Sequence, residues 1–544
     1  MTATTPVLTA PYAHVWRRPF VATATTFAAL YGVALAIGFL VIALVRYPLS
    51  EGTSYYVDVA GNLVSGRGPV IDAIWSYGTP PLTLPRPAFE LWQPMASFVA
   101  AVPMAIFGES FSAAQLGFVL MGATLAPLAW LVARDTVNRL ALGARRSMTI
   151  ELGAAVLTAI SAPLLLATGA PDSTLPFTVF GVAACLFMPR AIAGDRKFLV
   201  ALGVTLGLAY LTRMEAIWLG LAFVIGSLLA GRSVARTLST SATVGTIVAL
   251  VALPWWVRNV SVFGTPLPGQ LTDNAFLTRN EQIFAYADQP TLSGFLAQGP
   301  LTILGNIVAA VWHDAFDVLV VSAGPIAIVG LLTLAAALLG RTQLPRHGPL
   351  AMLLLSGAIT FVATSVLFPV ATLWGTFEHA AGPLHIGLIV AAVVGVDAFV
   401  ARVRAWRAWP RSNSWLAPAA LALATLPIVS LALVGAAHAA LTDARRIEGF
   451  VGVLPTDPGT IVTDRPIWLS RALGRSALAL PDESIESIEK LVADFHAVAV
   501  IVTESRGDLP AALRTPEGQQ CFGEVLGPAV PTGSAVFVVR LDCR

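Results

Sequence analysis

RRPFVATATTFAALYGVALAIGFLVIALVRYPLSE, residues 17–51, decides the class of this protein. No charged side chain lies between Arg18 and Arg46. A hydrocarbon core of about 30 Å needs roughly 20 apolar residues in a helix, so the run from Val21 is long enough to cross a bilayer. It is too long for the apolar core of a signal peptide, and no small-residue cleavage site follows it. It therefore reads as an uncleaved first span, basic at its start and meeting an acid, Glu51, just past its end.

The rest of the chain repeats that pattern. Hydrophobic residues make up 56% of it and charged ones only 12%, against about a quarter charged in soluble domains, so most of the surface does not face water. The net charge of +2 and the absence of a basic patch give no role to nucleic acid. Apolar runs predict about eleven spans, near 21–46, 112–133, 149–168, 174–190, 197–212, 215–231, 236–256, 317–340, 349–371, 384–400 and 415–438. Alternate connections are basic: Arg17-Arg18, then Arg134 to Arg146, Arg190 to Lys197, Arg232 and Arg236, Arg341 and Arg346, and Arg402 to Arg411. Arginine and lysine collect on the cytoplasmic side. The N-terminus is thus expected inside, and the tail from residue 440 outside. Counting 89–108 as a span would invert every later loop, and it holds Glu90, Gln93, Pro94 and Pro103, so it reads as a re-entrant or interfacial helix; 301–316 is a second such candidate.

Three regions follow: a cytoplasmic N-terminus (1–20), a membrane region (21–439) whose first outer loop is 47–111, and an extracytoplasmic α/β domain (440–544). In the last, strand-like runs at 459–463, 497–503 and 534–541 surround a helical stretch at 483–495. Of three cysteines, Cys185 sits in an apolar run, while Cys521 and Cys543 could pair if the tail lies outside. No Cys pair has zinc-ligand spacing, no internal repeat is visible, and no Gly-rich dinucleotide fingerprint follows a strand.

Polar residues at the membrane edge are expensive and concentrate on the outer side. Glu51 opens an amphipathic stretch that contains Asp58 and ends at Gly66; it is equally a helix-capping acid or a general base for an acceptor hydroxyl. Arg86 and Glu90, at the head of 89–108, read either as a phosphate ligand and a second acid or as a structural ion pair. Pro171-Asp172-Ser173 is a tight outer turn, with Asp172 a cap or a functional acid. Arg213 and Glu215 at the next outer hairpin are a self-paired couple or half of a phosphate site. Arg258, after Pro254-Trp-Trp, is a snorkelling belt residue or a phosphate ligand. His379 in Trp374-Gly-Thr-Phe-Glu-His is structural, a metal ligand or a phosphate donor.

In this order, these segments resemble the GT-C class of integral membrane glycosyltransferases, close to bacterial mannosyltransferase-like proteins and related to the protein O-mannosyltransferases and the lipid A aminoarabinose transferase. The motifs are Tyr55-Tyr56…Ala60-Gly-Asn62…Gly66-Arg67-Gly68, Pro94…Phe107-Gly108, Leu211-Thr-Arg213-x-Glu215, Pro254-Trp-x-x-Arg258-Asn259…Phe263-Gly264 and Gly375-Thr-Phe377-x-His379. The resemblance implies an all-α polytopic membrane fold with a small outer α/β domain in the plasma membrane. It implies a polyprenyl-phosphate monosaccharide as donor, a glycan, lipid or protein as acceptor, and transfer with inversion. Glu51 takes the position of the catalytic acid, with Asp58 or Glu90 as substitutes, because the family commonly has an acidic pair where Gly52 stands here. Asp172 falls where some relatives have a second acid, with Glu215 a further candidate, and Arg86, Arg213, Arg258 and His379 are candidates for the phosphate. Some members use a divalent cation and others none, so the cofactor stays open. A transporter or flippase for lipid-linked sugar, or a non-catalytic scaffold, is the competing reading; the first is disfavoured by the absence of repeats and of mid-span charges.

Overall fold

The computed structural model describes residues 20–269, 274–409, 413–455, 457–503, 509–527 and 530–543. Among them, eight helices are long and apolar enough to cross a membrane, or nine if one bent pair counts as a span, where the apolar runs suggested eleven. The first eleven helices are α1 (Phe20–Leu44), α2 (Glu51–Val64), α3 (Met95–Phe107), α4 (Phe111–Gly122), α5 (Leu125–Arg139), α6 (Ala144–Ala159), α7 (Ala162–Gly169), α8 (Thr174–Ala193), α9 (Arg196–Tyr210), α10 (Ala216–Leu229) and α11 (Val234–Phe263). The bent pair is α6 and α7, 48° apart; Pro163 stands in the first turn of α7 and has no N–H to continue the ladder of α6. The runs at 197–212 and 215–231 become α9 and α10, of 15 and 14 residues, each only about 20 Å long.

Two expectations change around residue 320. Pro300–Val321 forms one continuous 22-residue helix of span-like composition, not a separate interfacial piece at 301–316. The run expected to cross at 317–340 breaks before Pro325, which starts a new helix ending at Leu338. Gly324, at φ 58, makes that break. By contrast α3 is a 13-residue helix, too short to span. It packs between α2 and α4, and the Met95 N–H that opens it is bonded to the Leu211 carbonyl at 3.0 Å.

A six-stranded sheet sits beyond the bundle, in the order β2-β5-β4-β6-β8-β7. Its members are β2 (Ala73–Ile74), β4 (Thr460–Thr463), β5 (Ala477–Ala479), β6 (Ala497–Val502), β7 (Phe522–Glu524) and β8 (Ala535–Val539); β1 (Val70–Ile71) and β3 (Arg86–Pro87) form a separate pair. β2, β5, β4 and β6 run parallel, and parallel neighbours need crossover connections. The helices Pro466–Leu473 and Ile485–Asp494 supply them. β6 reads Ala-Val-Ala-Val-Ile-Val and is buried at every position, as a central strand covered on both faces should be. Cys521 and Cys543 are disulfide-bonded. β2 comes from the loop between α2 and α3, pairing Ala73 with Ala477 and Ile74 with Leu478. The 36-residue helix Leu416–Val451 leads from the bundle to the sheet, where Ile447 and Phe450 pack under Ile461 and Val498.

Candidate active site

A cavity of about 720 Å³ opens where the bundle meets the sheet. Its walls come from the start of α2, the α7–α8 turn, the α9–α10 hairpin, the segment around His379 and the β4 turn.

α2 begins because Ser50, in extended conformation, caps it: its Oγ accepts the Thr53 N–H at 3.1 Å. Glu51 does not cap its own helix. Its carboxylate accepts the N–H groups of Ile467 (3.0 Å) and Trp468 (2.9 Å). These are free donors at the start of the helix Pro466–Leu473, where the dipole also favours an anion. Burial pushes the Glu51 carboxyl up to about 7, against the pull of those two bonds and of Arg465. Glu51 faces the cavity with this helix behind it.

Asp172 reaches the same cavity from the α7–α8 turn. Its Oδ1 accepts the Ser173 hydroxyl (3.0 Å), the Thr174 N–H (3.1 Å) and the Thr174 hydroxyl (3.2 Å). His379 Nδ1 lies 3.4 Å away and shares a 2.6 Å hydrogen bond with Thr174 Oγ1. Arg213 donates to Ser173 Oγ at 2.9 Å and pairs with Glu215 at 2.5 Å. Burial would raise the Asp172 carboxyl, but the His379 ring and the Arg213 guanidinium together hold it below its ordinary value. Arg213 stays above its own, since Glu215 outweighs its burial. Gly52 explains the missing acidic pair. A Cβ at position 52 would stand 2.9 Å from Asp172 Oδ2, tighter than a side chain tolerates. The place beside Glu51 is filled by a carboxylate from the α7–α8 turn.

Glu51, Asp172, Arg213, Glu215 and His379 thus line one cavity. The other candidates do not line it. Asp58 lies seven residues beyond Glu51, two helical turns along α2, and pairs with Arg471 at 2.6 Å; burial raises its carboxyl to about 6, opposed by Arg471. Arg86 and Glu90 form an almost fully buried pair at 3.5 Å, and Arg86 donates to the carbonyls of Ser76 (2.5 Å) and Thr79 (2.6 Å), which pins the first loop to itself. Arg258 lies over the rings of Trp255 and Phe263, as a belt residue does.

Asp464 and Arg465 also line the cavity, brought there by β4 from more than 400 residues beyond Glu51. Their signal was present in Thr463-Asp-Arg-Pro466: a strand end, two charges and a proline suited to open a helix. An aromatic wall completes the cavity. Trp75 meets Trp92 at 4.9 Å and Phe284 at 4.8 Å, and Phe284 meets Trp374 at 5.3 Å. Among the described residues no group of three or more His, Cys, Asp or Glu side chains could hold a metal ion.

Comparison with solved structures places this architecture. The crystal structure of ArnT from Cupriavidus metallidurans bound to undecaprenyl phosphate matches with a TM-score of 0.52, over 96% of this chain and 99% of that one, at 15% identity. The chain has the GT-C fold. The Archaeoglobus fulgidus oligosaccharyltransferase, in complex with zinc and sulfate, shares it with a TM-score of 0.53 at 15% identity, over 94% of this chain and 74% of that one. The arabinofuranosyltransferase AftD from Mycobacteria does so at 0.50 and 14% identity, over 96% of this chain but 40% of its own. By sequence, residues 86–257 match the family described as dolichyl-phosphate-mannose-protein mannosyltransferase. No curated protein matches the chain by sequence. The family match covers Asp172, Arg213 and Glu215 but begins after Glu51 and ends short of His379, Asp464 and Arg465, so these four of the cavity's polar groups in this GT-C chain lie outside it and are brought there by tertiary structure.

Proposed function

We propose that this GT-C protein transfers a monosaccharide from a polyprenyl-phosphate donor to an acceptor hydroxyl at the outer face of the plasma membrane, with inversion. One observation carries the reading: a single cavity gathers a carboxyl poised near 7, an ion-paired carboxylate and two cationic or protonatable groups, from elements scattered between residues 51 and 379. Glu51 is the general base. A base that titrates near the working pH is both ionised and basic enough to take a proton. As it takes the acceptor's proton, the acceptor oxygen bonds to the sugar's anomeric carbon. The bond from that carbon to the phosphate oxygen breaks, and its electron pair leaves with the phosphate. Arg213 and His379 face the charge the phosphate gains. Asp172, kept ionised, orients His379 and answers the positive character at the anomeric carbon. Trp75, Trp92 and Trp374 suit the apolar face of a sugar ring, and Leu166, Ile217, Ile428 and Ala432 in the same lining suit a prenyl chain.

The sidedness rests on the arginine-rich alternate connections, which support a cytoplasmic N-terminus. The Cys521–Cys543 disulfide supports an extracytoplasmic C-terminal α/β region. The solved ArnT complex supports the lipid class, since that protein holds undecaprenyl phosphate.

The test is transfer in proteoliposomes from a panel of radiolabelled polyprenyl-phosphate sugars to a cell-envelope acceptor fraction, comparing wild type with Glu51→Gln. Transfer by wild type that is lost in the variant is expected. Movement of the donor across the bilayer without transfer would replace this reading with a flippase.

A further inference from the structure

Asp172 and His379 meet through a third residue, Thr174, the first of α8. The Thr174 hydroxyl lies 3.2 Å from Asp172 Oδ1 and 2.6 Å from His379 Nδ1. It has one proton to give. The Asp172 carboxylate, ion-paired within the site, accepts and does not donate, so the hydroxyl proton goes to it. The Thr174 oxygen is left to accept, and the donor facing it is the Nδ1–H of His379. A second distance requires the same proton. His379 Nδ1 stands 3.4 Å from Asp172 Oδ1, and without a hydrogen a ring lone pair would face a carboxylate lone pair. The hydrogen bonds therefore run from Nδ1–H to Thr174 to Asp172, and they assign the tautomer of the ring. Ser173 Oγ and the Thr174 N–H hold the carboxylate from its own turn.

The other edge of the ring is open. The described residues hydrogen-bond the imidazole at Nδ1 alone. Beside Nε2 and Cδ2 lies Gly375, where a Cβ would stand 3.2 Å from both atoms. At φ 98 this backbone also favours glycine. His379 lines the cavity and its side chain is 34% exposed, so Nε2 is within reach of an occupant. With Nδ1–H committed, Nε2 carries a lone pair when the ring is neutral and an N–H only when it is cationic. A lone pair repels a phosphate oxygen. To face the phosphate of a donor the ring must be an imidazolium, and Asp172 is the counter-charge placed beside it.

We propose that Thr174 is a positioning residue that sets this tautomer, and that His379 is the proton donor to the departing phosphate; the second part rests on the transferase reading above. As the bond between the anomeric carbon and the phosphate oxygen breaks, its electron pair stays on that oxygen, which takes the Nε2 proton. The prenyl phosphate leaves as a monoanion. The ring is left neutral and recovers its proton from water. The acceptor's own proton goes to Glu51, so acid and base are separate groups. Thr174 acts through His379.

The test uses the full chain. Purified in detergent with isotope-labelled histidine ring nitrogens, it is read by NMR at a pH where the ring is neutral. His379 is one of seven histidines, and its signals are those missing from His379→Gln. They should show a protonated Nδ1 and a bare Nε2, the reverse of the form that free histidine favours. Thr174→Val, which keeps the shape and removes the hydroxyl, should return them to the common form, and Thr174→Ser should not. Transfer in proteoliposomes is the second measurement. Thr174→Val should lower kcat about tenfold with KM for the donor little changed, as loss of an interaction realised in the transition state does. Thr174→Ser should recover most of that loss. His379→Gln keeps a hydrogen-bond donor but has no proton to transfer, and should lose about 10²-fold. A bare Nδ1 in wild type, a Thr174→Val variant that raises only KM, or a His379→Gln variant that keeps most of the transfer would overturn the proposal. No transfer by wild type from any donor would sink the transferase reading and the acid step with it, while the ring signals still decide the part played by Thr174.

Discussion

The segment between α1 and α3 carries two polar stretches that look alike in sequence, Glu51–Asp58 and Arg86–Glu90, and the fold uses them in opposite ways. Both put acids beside apolar helices; Arg86 and Glu90 end up buried, Glu51 and Asp58 half-buried. At Arg86–Glu90 the charges pair with each other and Arg86 with the loop's own carbonyls, and neither residue lines the cavity. At Glu51 the carboxylate holds a helix of the distant sheet on one side and faces a cavity on the other. A buried charge marks a place where the chain has arranged compensation. It marks chemistry only where a cavity adjoins it and a second set of groups faces it.

That contrast can be broken at several points. Glu51→Gln keeps the shape of the side chain but removes the base, so transfer should fall by about 10² to 10⁴-fold with the unfolding midpoint little changed; retention of most of the transfer would erase the distinction between the two stretches. Arg86→Met should do the reverse. Leaving Glu90 unpaired in the interior should cost about 3–5 kcal/mol of stability, seen as a lowered midpoint and poor yield, while transfer per folded molecule stays at the wild-type level. Adding Glu90→Leu should restore most of that stability. Gly52→Ala places a methyl group 2.9 Å from Asp172 Oδ2. It should lower transfer by about tenfold or more, since misplacing a reacting group by an ångström costs up to about 10²; an unaffected rate would remove Asp172 from the site.

A pH series sharpens the comparison further. Transfer should rise with pH around a midpoint near 7, as Glu51 ionises. Burial has raised this carboxyl from 4.5, so between 4.5 and about 7 the folded chain binds more protons than the unfolded one. Glu51 therefore costs stability as pH rises through that window, even as it gains activity. The smallest effect belongs to Asp58→Asn. Its partner Arg471 is partly exposed, and such pairs are worth roughly 1 kcal/mol or less, so the variant should lose little stability and no intrinsic transfer. A loss as deep as that of Glu51→Gln would move the base two turns along α2.

Much of the architecture was legible in the chain. Spanning helices announce themselves because a bilayer requires long uninterrupted apolar runs. The strands at 460–463, 497–502 and 535–539 were equally readable from local pattern, whereas the sequence offered Cys521 and Cys543 only as a possible pair that the structure joins. Breaks were less so. Gly324 split one expected span and Pro163 bent another, because a helix interrupted within apolar sequence leaves hydropathy almost unchanged. β5, three residues long, and β2, two residues long and more than 400 positions from its partner, have too little sequence to show a period.

At the site the same division holds. Asp172, Arg213, Glu215 and His379 could be picked as candidates because polar groups in apolar surroundings are costly and therefore noticeable. Their meeting could not be read, since it depends on the α7–α8 turn, the α9–α10 hairpin and the segment before Gly382 converging at one height. Nor could the reason for Gly52, which lies in a carboxylate 120 residues later, or the part played by Asp464 and Arg465. By itself the sequence determined that this chain lives in a membrane, with its arginines at one end of the helices and its acids and aromatics at the other. That is a matter of solvation, and solvation acts residue by residue. Only the tertiary structure decided which acids open on a cavity and which are locked in pairs, because a cavity belongs to the packing of distant elements and to no one segment of the chain.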